Sequence, residues 1–140
     1  MPLINPIGVA STNVLQTITS KVTANKSSTS TTFASVLTAT ITKVAGSNLL
    51  IWASWSFSFA YYGPIAFVRL VVNSAEVLRA GELWDQAQSG YFVYRATGLA
   101  AGARVVDLQW ALAVKGDGTF RCRPATVPEG AAITVMEVSV

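Results

Sequence analysis

The sequence predicts an all-β protein, an antiparallel sandwich or barrel built from eight to ten strands. Three observations carry this. Apolar and polar residues alternate with a period of two in one segment after another. The segments are punctuated by turn chemistry at Ala45-Gly46-Ser47-Asn48, Gly63-Pro64, Asn73-Ser74 and Lys115-Gly116-Asp117-Gly118. No stretch carries a convincing helical period.

The central strand is expected at LLIWASWSFSF, residues 49–59. Leu49, Ile51, Ala53, Trp55, Phe57 and Phe59 share one face and predict the core. Leu50, Trp52, Ser54, Ser56 and Ser58 share the other. Eleven extended residues reach roughly 36 Å, long enough to run through the middle of a sheet.

The remaining elements follow in order. Residues 1–13, MPLINPIGVASTN, have neither period. Leu3, Ile4, Ile7 and Val9 are spaced by Pro2, Pro6 and Gly8, as suits an extended arm that docks on a neighbouring subunit or partner. The single domain then spans residues 14–140. VLQTITSKVTA (14–24) alternates as a first strand, and NKSSTST (25–31) reads as a polar loop. TFASVLTATITKV (32–44) is expected to put Phe33, Leu37, Ala39 and Ile41 inward and a ladder of Thr38, Thr40 and Thr42 outward. IAFVRLVVN (65–73) is apolar on both faces except at Arg69. Asn73-Ser74 predicts a hairpin into residues 75–81. GELWDQAQSG (81–90) reads as a surface loop, and YFVYRATG (91–98) as an aromatic strand. RVVDLQWALAV (104–114) is expected to turn Val106, Leu108, Trp110, Leu112 and Val114 inward and Asp107, Gln109 and Ala111 outward. Lys115–Gly118 then predicts a hairpin to a short return strand, TFRCRP, stopped by Pro124. AITVMEVSV (132–140) is the closing strand, expected inside a sheet.

Of the 140 residues, 51% are hydrophobic and 12% charged, about half the usual charged share. Either a Ser/Thr-rich surface makes up the difference, or copies of the chain cover much of the outside. The strands that are apolar on both faces favour the second. The formal charge of +3 comes without a basic run, so nucleic acid is not an expected partner. The N-terminus lacks a charged n-region, so no signal peptide is expected. Val44–Val68 is uncharged, but the alternating serines and Gly63-Pro64 split it into two strands, so no membrane span is expected.

Candidate chemistry is sparse. Histidine is absent, which removes the commonest general base and metal ligand. The carboxylates Glu76, Glu82, Asp85, Asp107, Asp117, Glu129 and Glu137 fall mostly in turns or at outward strand positions. Glu82 and Asp85 beside Trp84 are the one pairing suited to sugar chemistry, and a solvated loop explains them. Asp117 is explained by its hairpin. Cys122, sharing a face with Phe120, reads as a small buried hydrophobe. No enzyme activity, cofactor or metal is expected. Among the aromatics, Trp55 and Trp110 are expected in the core. Trp52, which shares a face with serines, Trp84 in its loop, and the pair Tyr61-Tyr62 are candidate interface residues.

The succession TFASVLTATITKVAGSNLLIWASWSFS, FVRLVVNSAEV, GARVVDLQWAL, a glycine turn, TFRCRP and AITVMEVSV resembles the jelly-roll domains of tailed-phage virion proteins. The matching features are Gly46–Ile51 entering a strand, Arg69–Asn73 ahead of a hairpin, and Leu108–Trp110 before a turn. The resemblance covers about residues 30–140. It implies a tumour-necrosis-factor-like jelly roll, trimeric about a three-fold axis, with aromatics buried between subunits. Such domains serve as capsid auxiliary, or decoration, proteins and as tail-fibre tips. A fibre tip normally ends a much longer chain, so a short arm followed by one domain is closer to a decoration protein, similar to those of siphophages that infect Thermus. The implied role is a homotrimer on the outer capsid surface of the virion, made in the host cytoplasm, that binds the major capsid protein and stabilises the shell. The alternative is a receptor- or glycan-binding fibre tip using Trp84, Tyr61 and Tyr62.

Overall fold

The computed structural model describes residues 13–24, 26–59, 66–83, 87–112, 120–122 and 130–140. Among these residues there are ten strands and no helix: β1 (Val14–Lys21), β2 (Lys26–Ser28), β3 (Ala34–Lys43), β4 (Asn48–Phe59), β5 (Ala66–Val72), β6 (Ala75–Leu83), β7 (Ala87–Ala96), β8 (Gly102–Leu112), β9 (Phe120–Cys122) and β10 (Gly130–Val138). They form two antiparallel sheets packed as a β-sandwich.

In the first sheet β10 lies between β1 and β4, and β7 takes the other flank of β4. β10 reaches along β4 only to Gly130, opposite Ser56; β9 continues in the same line opposite Phe57–Phe59. β2 pairs with β9, so β2 and β9 prolong the β1–β10 pair beyond a break. The second sheet has the order β3-β8-β5-β6.

The expected central strand is central. Leu49, Ile51, Ala53, Trp55 and Phe57 are all buried. They join Leu37, Ala39, Ile41, Val68, Leu70, Val106, Leu108 and Trp110 of the facing sheet in one core with Ile133 and Val135. Each fully buried large side chain contributes about 1.5–3 kcal/mol. Phe57 and Trp110 bridge the sheets with ring centroids 5.1 Å apart. Trp55 sits 4.5 Å from the Phe92 ring. The closing strand is interior to its sheet, between β1 and β4, as expected. The Asn73-Ser74 hairpin is a two-residue loop with φ of 50° and 69°, the positive pair a type I′ turn needs. Gly46, at φ 77°, supplies the left-handed residue of the β3–β4 turn.

Several expectations are corrected. The polar loop at 25–31 contains β2, because β9 offers it a pairing edge whatever its side chains prefer. The surface loop at 81–90 is mostly strand. Leu83 pairs with Ala66, and Ala87 to Gly90 pair along β4 from Ser58 to Trp55. Residues 84–86 lie outside the described residues. β9 is not the hairpin return of β8: it pairs with β2 and β4 in the first sheet, whereas β8 pairs with β3 and β5 in the second. Ala111 keeps the outward parity expected of it, with Gln109 and Asp107, but is covered there opposite Phe67. Phe33, expected inward, lies on the outer face. A bulge between Ser35 and Leu37 buries both Val36 and Leu37 and flips the parity of everything before it.

Candidate functional site

With no predicted catalytic residues to assemble, the informative surfaces are the two outer sheet faces, which alternation builds from every second residue. On the first sheet the register aligns three rows across β1, β10, β4 and β7. They are Thr17-Met136-Leu50-Arg95, Thr19-Thr134-Trp52-Val93 and Lys21-Ala132-Ser54-Tyr91. Trp52 is 39% exposed, Val93 53% and Tyr91 74%. Leu50 and Met136 are half-buried beside them. These rows hold no carboxylate, and their only charges, Lys21 and Arg95, stand at opposite corners. The face is thus an uncharged aromatic and aliphatic stripe in a frame of Ser and Thr.

The second sheet's outer face is different. There a hydrogen-bonded chain of polar side chains crosses all four strands. Ser35 Oγ donates to Asp107 Oδ1 at 2.6 Å, and Gln109 Nε2 to Asp107 Oδ2 at 2.6 Å. Arg69 Nε donates to Gln109 Oε1 at 2.7 Å and Arg69 Nη1 to Glu76 Oε2 at 3.0 Å. Arg79 grips Glu76 through two bonds of 2.6 and 2.7 Å. The ring of Phe33 lies under Arg69, 3.9 Å from its Cζ, and 5.0 Å from Arg79 Cζ, within cation–π range. The Arg79 bond, helped by Arg69, holds the Glu76 carboxyl down at about 2 from an ordinary 4.5. Arg69, Val71, Ser74, Val105, Asp107 and Gln109 line a cleft of about 390 Å³ here.

Among the described residues one carboxylate is inside. Glu137 is fully buried at the sandwich end where β1 meets the β3–β4 turn. It accepts from Val44 N at 2.7 Å, from Ser47 Oγ and from Gln16 Nε2. Gln16 also donates to Thr42 O at 2.7 Å. Burial pushes this carboxyl up, but the bonds from Ser47, Gln16 and Val44 and the nearby Lys43 charge outweigh it, and its pKa is lowered. Lys43 is itself buried, its ammonium donating to Val44 O at 2.9 Å.

Of the candidate interface residues, Trp52 is exposed as its serine-flanked face predicts, while Trp55 and Trp110 are core. Tyr61, Tyr62, Trp84 and the arm residues Leu3, Ile4, Ile7 and Val9 lie outside the described residues, as do Val114 and the 115–118 turn; Cys122 falls in β9, its side chain outside them. Tyr91 and Val93 were not singled out, although the alternation of YFVYRA already separates them from Phe92. Asp107, Gln109 and Arg69 occupy outward strand positions that the sequence shows, but their assembly depends on pairing register, which it does not. Among the described residues no group of three or more His, Cys, Asp or Glu side chains gathers as a metal site, and no helix is long and apolar enough to cross a membrane.

The fold and its faces define a class: an antiparallel β-sandwich with one hydrogen-bonded polar face and one face whose centre is aromatic and aliphatic. No protein-family model matches the chain, and no curated protein matches it.

Proposed function

We propose that the chain is a structural virion protein, a trimeric jelly roll that decorates the assembled capsid of a tailed phage and stabilises it. The observation that carries this is the apolar centre of the first-sheet face, with Trp52, Tyr91 and Val93 open to solvent and charges only at two corners. A contiguous apolar stripe on a chain with so few charges is what a subunit interface needs, and copies of the chain itself are its occupant. The strand order supports the jelly-roll reading. The order β1-β10-β4-β7 against β3-β8-β5-β6 is the one expected of an eight-strand double Greek key, with β2 and β9 as extensions. The sequence resemblance supports the virion setting.

The physics of decoration then follows. Four strands about 4.8 Å apart and three rows about 6.7 Å apart cover roughly 400 Å², against the ~800 Å² per partner of a standard interface. The face therefore needs help, and the arm of residues 1–13, with Leu3, Ile4, Ile7 and Val9, supplies it on the subunit or on the major capsid protein. Three arms on one trimer raise avidity without strong single contacts. Binding only to the assembled shell stabilises that state by linkage.

Light scattering of the purified chain, followed by co-sedimentation with empty expanded shells, tests this. The expected results are a trimer that pellets in fixed ratio to the shell protein, a Trp52→Ser/Val93→Ser variant that is folded but monomeric, and an arm deletion that no longer pellets. A monomeric parent protein refutes the interface. A trimer that stays in the supernatant refutes the capsid role and, if it binds glycans through Trp84, Tyr61 or Tyr62, makes the fibre-tip reading the correct one.

A further inference from the structure

We propose that the cleft on the outer face of the second sheet is a binding site for a neutral saccharide. Its floor is Val71, buried, beside the half-exposed Val105; its walls are Arg69, Gln109 and Asp107, and the Ser74 hydroxyl stands at the hairpin end. The register makes the shape. Arg69 faces Gln109 and Val71 faces Asp107 across the β5–β8 pair, so two long polar side chains stand next to a shorter apolar step. The volume, about 390 Å³, falls within the range of small-ligand sites.

The polar groups are fixed before any ligand arrives. Asp107 is held from both sides by Ser35 and Gln109, and Arg69 is held by Gln109 and Glu76 and stacked on Phe33. Groups already locked lose little freedom on binding. Asp107 uses two acceptor positions in these bonds, and a carboxylate has about four. The site thus presents a carboxylate acceptor, a hydroxyl and a guanidinium edge around an apolar floor. That combination complements a sugar, whose hydroxyls both donate and accept and whose C–H face is apolar. Charge selects against the alternatives. Arg69 and Arg79 share Glu76, and Asp107, held by the neutral Ser35 and Gln109, supplies the second negative charge, so the network sums to zero and attracts neither an anion nor a cation over distance. The site lies on the sheet opposite Trp52 and Tyr91, and it does not rest on the virion reading.

The full chain is screened on a glycan array, and hits are titrated by two-dimensional NMR. The expected result is saturable binding of a neutral glycan that survives raised salt, with amide shifts centred on Val71, Ser74, Val105 and Gln109. Asp107→Ala should weaken it about tenfold to a hundredfold, the cost of hydrogen bonds to a charged group. Val105→Trp, which fills the cleft from an exposed position and leaves the network intact, should abolish it. Three results would each overturn the proposal: no neutral glycan bound at millimolar sugar, binding confined to sulfated or sialylated glycans and lost in salt, or binding unchanged in Val105→Trp.

Discussion

Gly90→Ala tests the packing of the central strand at its tightest point. Gly90 lies opposite Trp55 in the β4–β7 pair. A Cβ built there would fall 2.6 Å from Trp55 Cζ2, 3.0 Å from Cε2 and 3.1 Å from Cη2. Carbon atoms pack at about 3.5–4.0 Å, so the indole must retreat by about 1 Å. It has little room, being 5% exposed with Phe92 at 4.5 Å and Phe57 at 6.4 Å. Overpacking of this kind costs about 1–3 kcal/mol. The backbone term acts the other way. Gly90 is not in the left-handed region, so alanine is compatible with its conformation and should gain about 0.4–1 kcal/mol by restricting the unfolded chain. The clash wins, and the net loss is about 1–2 kcal/mol. For 140 residues at about 2.1 cal/mol/K each, that lowers Tm by roughly 3–7 °C.

Urea denaturation and calorimetry of a double-mutant cycle measure the effect. In a Trp55→Phe background the atoms that meet the new Cβ are gone, and Gly90→Ala should be neutral or slightly stabilising. The coupling between the sites should therefore be at least about 1 kcal/mol. Trp55→Phe also removes an indole Nε1 that is buried with no hydrogen-bond partner among the described residues, which offsets part of its packing loss. If Gly90→Ala stabilises the parent protein, or costs the same in both backgrounds, the reasoning is wrong.

Two further perturbations address the charge and the turn. Glu137→Ala leaves Ser47, Gln16 and the Val44 N–H without their acceptor and the buried Lys43 without a nearby opposite charge, and should cost about 3–5 kcal/mol in urea denaturation. Glu137 has a folded pKa below the 4.5 of the free group, so its stabilisation is complete above that value and is lost as pH falls through the lowered one. Glu76, held at about 2 but partly exposed, adds a weaker loss over the same acid window. Stability should hold from neutral pH down to about 4.5 and fall below it through the acid range set by the lowered values, and Glu137→Gln should flatten that fall. Ser74→Gly should raise stability by about 0.5–1 kcal/mol, since Ser74 sits at φ 69° where a Cβ is penalised; a drop in the urea midpoint would contradict the turn assignment.

The period-two signal in β4, β5, β8 and β10 made their inner faces readable, because one buried face forces strict alternation. Legibility ended where geometry departs from strict alternation or where the partner, not the sequence, decides. The bulge at Val36 moved Phe33 from the core to a platform under two arginines, and nothing in TTFASVL marks the extra residue. Lys26–Ser28 and Ala87–Gly90 are strands because neighbouring edges pair with them, against their polar composition. Trp52 was legible as an exposed aromatic because its strand neighbours on that face are serines. The second-sheet cleft was not, because it joins residues from two separate segments, 69–74 and 105–109, whose register only the fold sets.

The asymmetry of the two faces bears on why the chain carries so little charge. A Ser/Thr-rich solvated surface exists on the second sheet, where Thr38, Thr40 and Thr42 are exposed on β3, Thr38 opposite Asp107 of β8. If the low charge meant only that hydroxyls replace charges in contact with water, the first sheet would show the same mixture. Instead its centre holds Trp52, Val93 and Tyr91, with Lys21 and Arg95 at the corners. Exposing these three side chains in a monomer forgoes a hydrophobic gain of about 25 cal/mol for each Å² of apolar area left in water. A neighbouring copy of the chain or an arm laid across it would recover that gain, while the second sheet, whose network sums to zero charge, has no comparable apolar stripe to cover.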